Sequence, residues 1–370
     1  MKLDADAIIV TSDEPHSKMW HTQLIYTEFL AKDNAVFFVN PPKKWTIKNL
    51  FNDGLNKKVE NRNLTLLNYN NKLPTLFKWF NKLNENYNEK KISKELKKIN
   101  AKKIIIWHFD SFRGAFKNNF FNTVLSIKRL YHIIDPFYNN PINSYLCNVA
   151  DVIVITSPRI NNFYTAYLSK VINIPQCLDI ELQYKFVNAE NSVKLKTNSN
   201  YFVLLGTISD DIDFDWLLEL LKITNFKLVI IGKKINIINN AIKAELVFSQ
   251  TNVEYLGVLS PQQFYPVLKN AKAGLIIYNE ERRAKICSPL KALNYLISGL
   301  PVITNIDCEI EELDNNGIHY CNGITELKMI IIAALENKLV FKEWIVNKYI
   351  DQNSLTLSVQ KIINTLYYAI

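Results

Sequence analysis

Short apolar runs recur along this chain, separated by stretches with helical periodicity. In the first half the runs fall at 7–11, 35–40, 64–67, 103–107, 130–134, 152–156 and 171–174. Helical patterns lie between several of them, at 22–32 and across the long Lys/Glu-rich stretch 75–99. After Asp179 the pattern restarts. Runs at 201–205, 227–231, 253–256, 273–278, 302–304 and 317–320 predict strands, with helices at 213–223, 261–270 and 289–298. Strands made almost wholly of Val, Ile and Leu, alternating with helices, predict parallel sheets covered on both faces. The polar stretch 187–200 (VNAENSVKLKTNSN) separates the two series. The expected fold class is α/β, with two doubly wound, Rossmann-like domains at 1–185 and 200–350 and a C-terminal helix within 351–370. A chain of 370 residues, 48% of them hydrophobic, can give each domain its own core.

Glycine separates the two halves further. Of nine glycines only Gly54 and Gly114 precede residue 200, and Gly206, Gly232 and Gly257 each directly follow a predicted strand. Ligands of open α/β sheets bind beyond the carboxyl ends of strands, where backbone must come close. The second domain therefore has the better ligand-binding rim. Within it, 282–305 reads RRAKICSPLKALNYLISGLPVITN. Ser288 suits an N-cap and Pro289 the first helical position. Lys291 then falls in the first turn, with Arg282, Arg283 and Lys285 just upstream. A helix N-terminus already carries about half a positive charge. Four cations there either splay into solvent or share an anion with the helix end. A diphosphate at this point would receive backbone N–H groups, the Ser288 hydroxyl and one or more cations. Asn294 neighbours Lys291 on the helix surface and would reach a sugar hydroxyl of the nucleotide.

At this point the chain resembles a known family. SPLKALNYLISGLPVITN (288–305) is similar to the donor-site helix of GT-B glycosyltransferases of the broad retaining group often called family 4, which usually reads PLKxxEYLAxGxPVV. GTISDDIDFDWLLEL (206–220), LVIIGK (228–233) and VEYLGVLSPQQFYPVLKNAKAGLIIY (253–278) resemble the family's first glycine turn, the following strand, and the stretch leading to the site. In the first half, ADVIVITSPRI (150–160) and INIPQCLDIEL (172–182) resemble segments that usually read ADxVxxxSxxL and VxPNGVDxxxF. The nearest flavour is the subgroup acting in bacterial surface polysaccharide synthesis, such as teichuronic-acid-type enzymes. The resemblance implies two domains facing a central cleft, with the C-terminal helix crossing back to the first. It implies a nucleotide-diphosphate sugar as donor substrate, held by Gly206, Thr207, Lys233, Gly257, Tyr278 and Arg282, and by Ser288, Pro289, Leu290, Lys291 and Asn294. It also implies retention of configuration, through an oxocarbenium-like transition state, without a side-chain nucleophile. The chain departs from the pattern in four places. Asn294 stands where the family has a ribose-binding Glu, and Ile286 where it has a second acid. The first glycine turn, GTISDD, lacks the usual Arg and Lys, and Pro175-Gln176-Cys177 replaces PNG.

Other chemistry changes this picture less. Asp210, Asp211, Asp213 and Asp215 look like a DxD metal motif but open a predicted helix, where carboxylates cap N–H groups. No essential metal and no cofactor are expected; fixed donors and cations would stabilise the leaving diphosphate. Five scattered cysteines show no metal spacing and read as buried thiols. Four of five histidines lie in the first half: His16, His21, His108 and His132. SDEPHSKMWH (12–21), WHFDSF (107–112) and HIIDPF (132–137) put His or Asp at strand ends. Asp110, His16 and Asp135 are the candidates for a catalytic base or acceptor contact; a purely structural role is the alternative for each histidine.

Charge is uneven. Residues 41–103 hold 16 basic and 5 acidic residues, together with Trp45, Phe51, Phe77, Trp79 and Phe80. This suggests an anionic surface, and LPTLFKWFNKL (73–83) favours membrane headgroups over nucleic acid. The competing reading is a solvated Lys/Asn-rich face whose aromatics enter the core. MKLDADAIIV is not a signal peptide and the apolar run 329–335 is far too short to span a bilayer. The expected setting is cytoplasmic, peripheral at the inner face of the cell membrane. The leading expectation is thus a glycosyltransferase with a glycan or lipid-linked acceptor and no nucleic-acid partner. Its rivals are a catalytically inactive GT-B relative acting as a partner or sugar-nucleotide binder, a nucleic-acid-binding α/β protein, and a sugar-nucleotide epimerase.

Overall fold

A computed structural model describes residues 1–17, 21–43, 45–47, 56–75, 77–110, 124–134, 141–190, 192–196, 200–235, 237–283 and 289–368. Asp135, Lys285 and Ser288 lie outside the described residues. The chain forms two compact units, one comprising 1–17, 21–174 and the chain from 359, the other 175–358.

The first unit is built on strands β1 (Ala7–Thr11), β2 (Val36–Val39), β3 (Asn56–Val59), β4 (Leu64–Asn68), β5 (Lys103–His108), β6 (Ser126–Ile133), β7 (Val152–Ile155) and β8 (Val171–Asn173). They form one sheet in the order β3-β4-β2-β1-β5-β6-β7-β8. All neighbours are parallel except β3, which runs antiparallel to β4. Helices α1 (Thr22–Ala31), α2 (Lys78–Lys97) and α3 (Pro141–Val149) and a 3-10 stretch (Pro158–Lys170) connect them. The central strand β1 is buried throughout, as an all-apolar run in a doubly covered sheet must be. Strand β3 was not expected from the pattern. Its sequence, NKKV, has no apolar alternation, and it pairs only because an edge position lets charged residues stay in water.

The second unit carries α4 (Ile180–Val187), β9 (Phe202–Leu205), α5 (Phe214–Leu220), β10 (Leu228–Ile231), α6 (Ala241–Ser249), β11 (Val253–Gly257), α7 (Pro261–Lys269) and β12 (Gly274–Ile276). It continues through α8 (Glu280–Arg283), α9 (Leu290–Ile297), β13 (Val302–Thr304), β14 (Ile318–Tyr320), α10 (Ile324–Leu335) and α11 (Glu343–Gln352). Its sheet runs β11-β10-β9-β12-β13-β14, all parallel. Helix α12 (Leu355–Tyr368) closes the chain. Within the first unit Lys361 Nζ donates to Asn173 O at 3.4 Å, and the Tyr367 hydroxyl to Asp4 O at 3.0 Å. Strand order reverses between β1 and β5 in one sheet and between β9 and β12 in the other. Such switch points open a crevice at the carboxyl ends of the strands.

Helix α4 packs on α7 and α9. Its Gln183 is fully buried, and neither side-chain Oε1 nor Nε2 has a hydrogen-bond partner. A buried unsatisfied polar group costs about 1–3 kcal/mol. Gln183→Met keeps the length and removes the polar atoms, so it should stabilise the second unit by about 1–2 kcal/mol. A raised urea midpoint at unchanged slope is the expected reading, whereas an unchanged midpoint would mean that a buried water satisfies the amide.

Candidate functional site

The crevice of the second sheet is held open by a tyrosine. Tyr295 projects from α9, and its hydroxyl accepts the Leu205 N–H at 2.7 Å. The same oxygen lies 3.3 Å from the carbonyl oxygens of Val203 and Leu275. The ring fills the space over Gly274, where a Cβ would stand 2.3 Å from ring carbons. Strands β9 and β12 pair only at Gly274–Val203 and Leu275–Leu204. The phenol takes the position of the next ladder bond and keeps the strand ends apart.

Three glycine turns line the rim. Gly206, at φ +122°, donates its N–H to Ile231 O at 2.9 Å, and Gly232 donates to Gly257 O at 2.8 Å. A Cβ on Gly232 would sit 1.8 Å from Gly206 O, so β9 and β10 approach there as only glycine allows. The Gly206 N–H is thus spent on the sheet rather than offered to a ligand. Gly257 ends the edge strand β11, two strands out from the crevice, and is not brought to it.

Lysine 291 is brought to it. Its Nζ would lie 3.1 Å from a Cβ on Gly206, so the missing side chain is what admits the ammonium. Lys291 Nζ donates to the Tyr278 hydroxyl at 2.7 Å and stands 4.8 Å from that ring's centroid. The Arg282 guanidinium carbon is 5.7 Å from the same centroid. Two of the four clustered cations therefore converge on one aromatic ring. The loop bearing Tyr278 is clamped by Asn305, whose Oδ1 accepts the Tyr278 N–H at 2.9 Å while its Nδ2 donates to Tyr278 O at 2.7 Å. The sequence reading missed Asn305; an amide directly after a buried strand was the signal that pointed to it.

Helix α9 begins one residue later than expected. Pro289 is its N-cap rather than its first helical residue, with φ −77° and ψ 115°. The ring fixes φ but leaves ψ free, and here ψ is extended. Pro289 itself offers no side-chain cap to this end. The first backbone N–H groups of α9, at Leu290 and Lys291, are the kind that an anion satisfies.

Other expected residues contribute differently. Thr207 and Lys233 are exposed on the rim. The Lys234 ammonium is held over the rings of Phe248 and Tyr255, 3.3 and 4.4 Å from their centroids. Asn294 Oδ1 accepts a 2.7 Å hydrogen bond from the buried Tyr265 hydroxyl. Its carbonyl is committed inward, and the amide Nδ2 is what it retains for a ligand. Of the four aspartates, Asp213 is the one that caps a helix. Asp213 accepts the Trp216 N–H at the start of α5. Asp210 instead accepts the N–H groups of Ile238, Asn239 and Asn240 ahead of α6, and these bonds hold its carboxyl below the usual range. Asp215 pairs with Lys243 at 2.6 Å. Among the described residues no group of three His, Cys, Asp or Glu is placed to hold a metal ion.

The first sheet's switch point carries two carboxylates. Asp110 follows β5 and is buried; Asp13 follows β1 and accepts a 3.0 Å hydrogen bond from Gln23 Nε2. The two strands stay joined beyond their ends through Phe109 N–H to Thr11 O at 3.0 Å. Burial, then the Asp110 charge, push the Asp13 carboxyl up to about 6. Sequence reasoning singled out Asp110 and missed Asp13, although both stand just past a central strand. The buried histidines below are structural. His108 Nε2 lies 3.3 Å from Arg129 Nη1, which can only donate, so the ring proton sits on Nδ1, 3.3 Å from Thr11 Oγ1. Burial and the Arg129 charge keep His108 neutral. Burial lowers His132 to about 3, and its Nδ1 accepts from Trp107 Nε1 at 3.4 Å. His16 is tied down by Glu28 at 3.2 Å, by its N–H to Asn40 Oδ1 at 2.7 Å, and edge-on to Phe38.

Asp13 gives a pH signature. Its folded pKa lies above that of a free carboxyl, so the folded state holds the extra proton. The stability it contributes is full below pH ~4 and is lost as pH rises through about 6. Asp13→Asn should therefore be more stable than the parent at pH 7, by on the order of 2 kcal/mol, with the gap closing towards pH 4. Urea unfolding of both proteins across this range checks it; a gap that does not change with pH would refute the assignment.

No protein-family model and no curated protein matches the chain. Solved structures do match it, over nearly their whole length. The α,α-trehalose-phosphate synthase (UDP-forming) of Burkholderia xenovorans, solved with glucose-6-phosphate, is 10% identical, with a TM-score of 0.73 over 97% of this chain and 99% of that one. Anabaena HepE, solved with UDP and glucose, is 14% identical, with a TM-score of 0.68 over 97% and 99%. The sucrose-phosphate synthase of Thermosynechococcus elongatus is 11% identical, with a TM-score of 0.68 over 99% and 100%. At such identities the likeness is one of architecture: two parallel-sheet, Rossmann-like domains in the GT-B fold.

Proposed function

We propose that this protein is a glycosyltransferase that moves a sugar from a nucleotide-diphosphate donor to a glycan or lipid-linked acceptor, with retention and without a metal. The observation that carries the reading is Lys291, whose ammonium occupies the space that a Cβ on Gly206 would need, at the first turn of α9. Fixed N–H groups and cations there suit a diphosphate, and suit it better as the sugar departs and negative charge grows on the phosphate. In the reaction the bond from the anomeric carbon to the phosphate oxygen breaks and the acceptor oxygen bonds to that carbon. The acceptor's proton leaves to a base as that bond forms. The UDP and glucose in HepE make a UDP-sugar the first donor to try. Retention and a role in surface polysaccharide synthesis rest on the resemblance of 288–305 to the family's donor helix.

One observation favours a second reading, an inactive sugar-nucleotide binder. Asn294 stands where the family has a carboxylate, and its carbonyl is committed to Tyr265. Nucleotide release from a panel of UDP-, GDP-, ADP-, CMP- and dTDP-sugars separates the two. Slow hydrolysis or transfer with one donor supports the transferase, and binding of a nucleotide with no turnover of any sugar supports the binder.

A further inference from the structure

Helix α2 is inside out for a helix facing water. Surface helices bury apolar positions and expose polar ones. Here the buried positions include Asn84, Asn88, Glu89 and Ser93, with Ile92. The inner face is held by polar bonds: Asn84 Oδ1 accepts the N–H groups of Lys72 and Leu73, both at 2.9 Å, and its Nδ2 donates to Leu73 O at 2.9 Å. Glu89 lies within electrostatic reach of the buried Arg129. Outward stand Trp79, 59% exposed, and Leu83, 46% exposed, with Phe77 at 56% just ahead of the helix. Phe80 joins the two aromatics, its ring 3.9 Å from Trp79 and 5.6 Å from Phe77.

At about 3.6 residues per turn, Trp79, Leu83, Lys90, Lys94 and Lys97 fall on one outward stripe, with Lys82 at its flank beside the buried Glu89 and Ser93. The four lysines are exposed. The helix's three carboxylates lie off that stripe: Glu85 is half-buried, Glu89 is buried and Glu95 pairs with Lys98. The face therefore has an apolar, aromatic end and a basic remainder, in a region with 16 basic and 5 acidic residues. We propose that it docks on an anionic lipid bilayer, with Phe77, Trp79 and Leu83 entering the headgroup layer and the lysines lying over the lipid phosphates. Charge complementarity argues for that occupant. The apolar residues are gathered at one end with an aliphatic Leu, as insertion needs. They are not spread among the lysines as base stacking would need. The proposal deepens the lipid-linked acceptor reading, and vesicle binding without nucleotide tests it separately from transfer.

The test is co-sedimentation of the full chain with phosphatidylcholine vesicles, with and without phosphatidylglycerol, in low and physiological salt. Binding is expected only with phosphatidylglycerol and should weaken with salt. Changing Lys82, Lys90, Lys94 and Lys97 together to Gln should weaken it by roughly fivefold per lysine. Trp79→Phe should bind but lose the quenching of tryptophan emission by brominated lipid. These residues are exposed, so unfolding midpoints should not move. Absence of binding to anionic vesicles in low salt would overturn the proposal. So would unchanged binding in the lysine variant, or binding of single-stranded DNA but not vesicles.

Discussion

Lys291→Ala is expected to lower kcat/KM for sugar transfer by about 10²–10³-fold while leaving the unliganded protein at least as stable. The two effects have one cause. A lysine in the first turn of a helix opposes the macrodipole, so its removal should relieve a few tenths of a kcal/mol. Its hydrogen bond to Tyr278 spans a half-buried pair and returns little of that. The ammonium is kept because it faces a ligand's charge. Deleting one fixed donor to a developing negative charge typically costs the stated factor. Lys291→Arg should not restore activity. The guanidinium is planar and wider than the ammonium that packs in the space a Cβ on Gly206 would need. Steady-state kinetics with the donor that turns over checks this. Unchanged kcat/KM, or a clear loss of stability without ligand, would make Lys291 a structural residue.

Gly232→Ala should cost the second unit at least about 4 kcal/mol, enough to leave it unfolded under ordinary conditions. A Cβ at Gly232 would stand 1.8 Å from Gly206 O and 2.7 Å from Gly206 C, and no side-chain rotation can relieve a contact with backbone. The φ of +147° adds strain for any L side chain. The relief available is to part the ends of β9 and β10, which carry the Gly206 turn and the seat of Lys291. Gly257→Ala is the control. It too has positive φ, +68°, but nothing lies within 4 Å of its Cβ, so about 1–2 kcal/mol of left-handed strain is the whole cost. Urea unfolding of the two variants should separate them widely. Similar losses would mean that the close approach of the two turns is not a constraint.

Much of this could be read along the chain, because buried parallel strands announce themselves. Runs such as AIIVT and VFFV have no polar face to confuse their period. The glycine turns were legible for the same reason, each standing at the end of such a run. Strand β3 was not, since a charged edge strand is defined by its neighbour rather than by its own pattern. The Tyr295 wedge was also hidden. On an amphipathic helix a tyrosine on the apolar face reads as core, and only its meeting with Gly274 and Leu205 gives its hydroxyl a purpose. The four cations near the head of α9 posed a question that sequence alone left open; Lys291 and Arg282 converge on Tyr278, and the side chains of Arg283 and Lys285 lie outside the described residues. Asp13 escaped because its raised pKa depends on burial and on Asp110, far away in sequence. Asn294 was expected to reach a sugar hydroxyl, and nothing in the sequence showed that its amide oxygen accepts the Tyr265 hydroxyl from within the core.

The central claim is that a nucleoside diphosphate binds at the head of α9 through Lys291. Thermal unfolding with UDP, then GDP, ADP and dTDP, with the monophosphate CMP for comparison, for wild type and Lys291→Ala, tests it most directly. A ligand at ~100 times its dissociation constant should add about 2.7 kcal/mol of stability. The account predicts an upward shift with one of the diphosphates in the wild type and its loss in Lys291→Ala. An equal shift in both proteins, or none with any nucleotide, would contradict it.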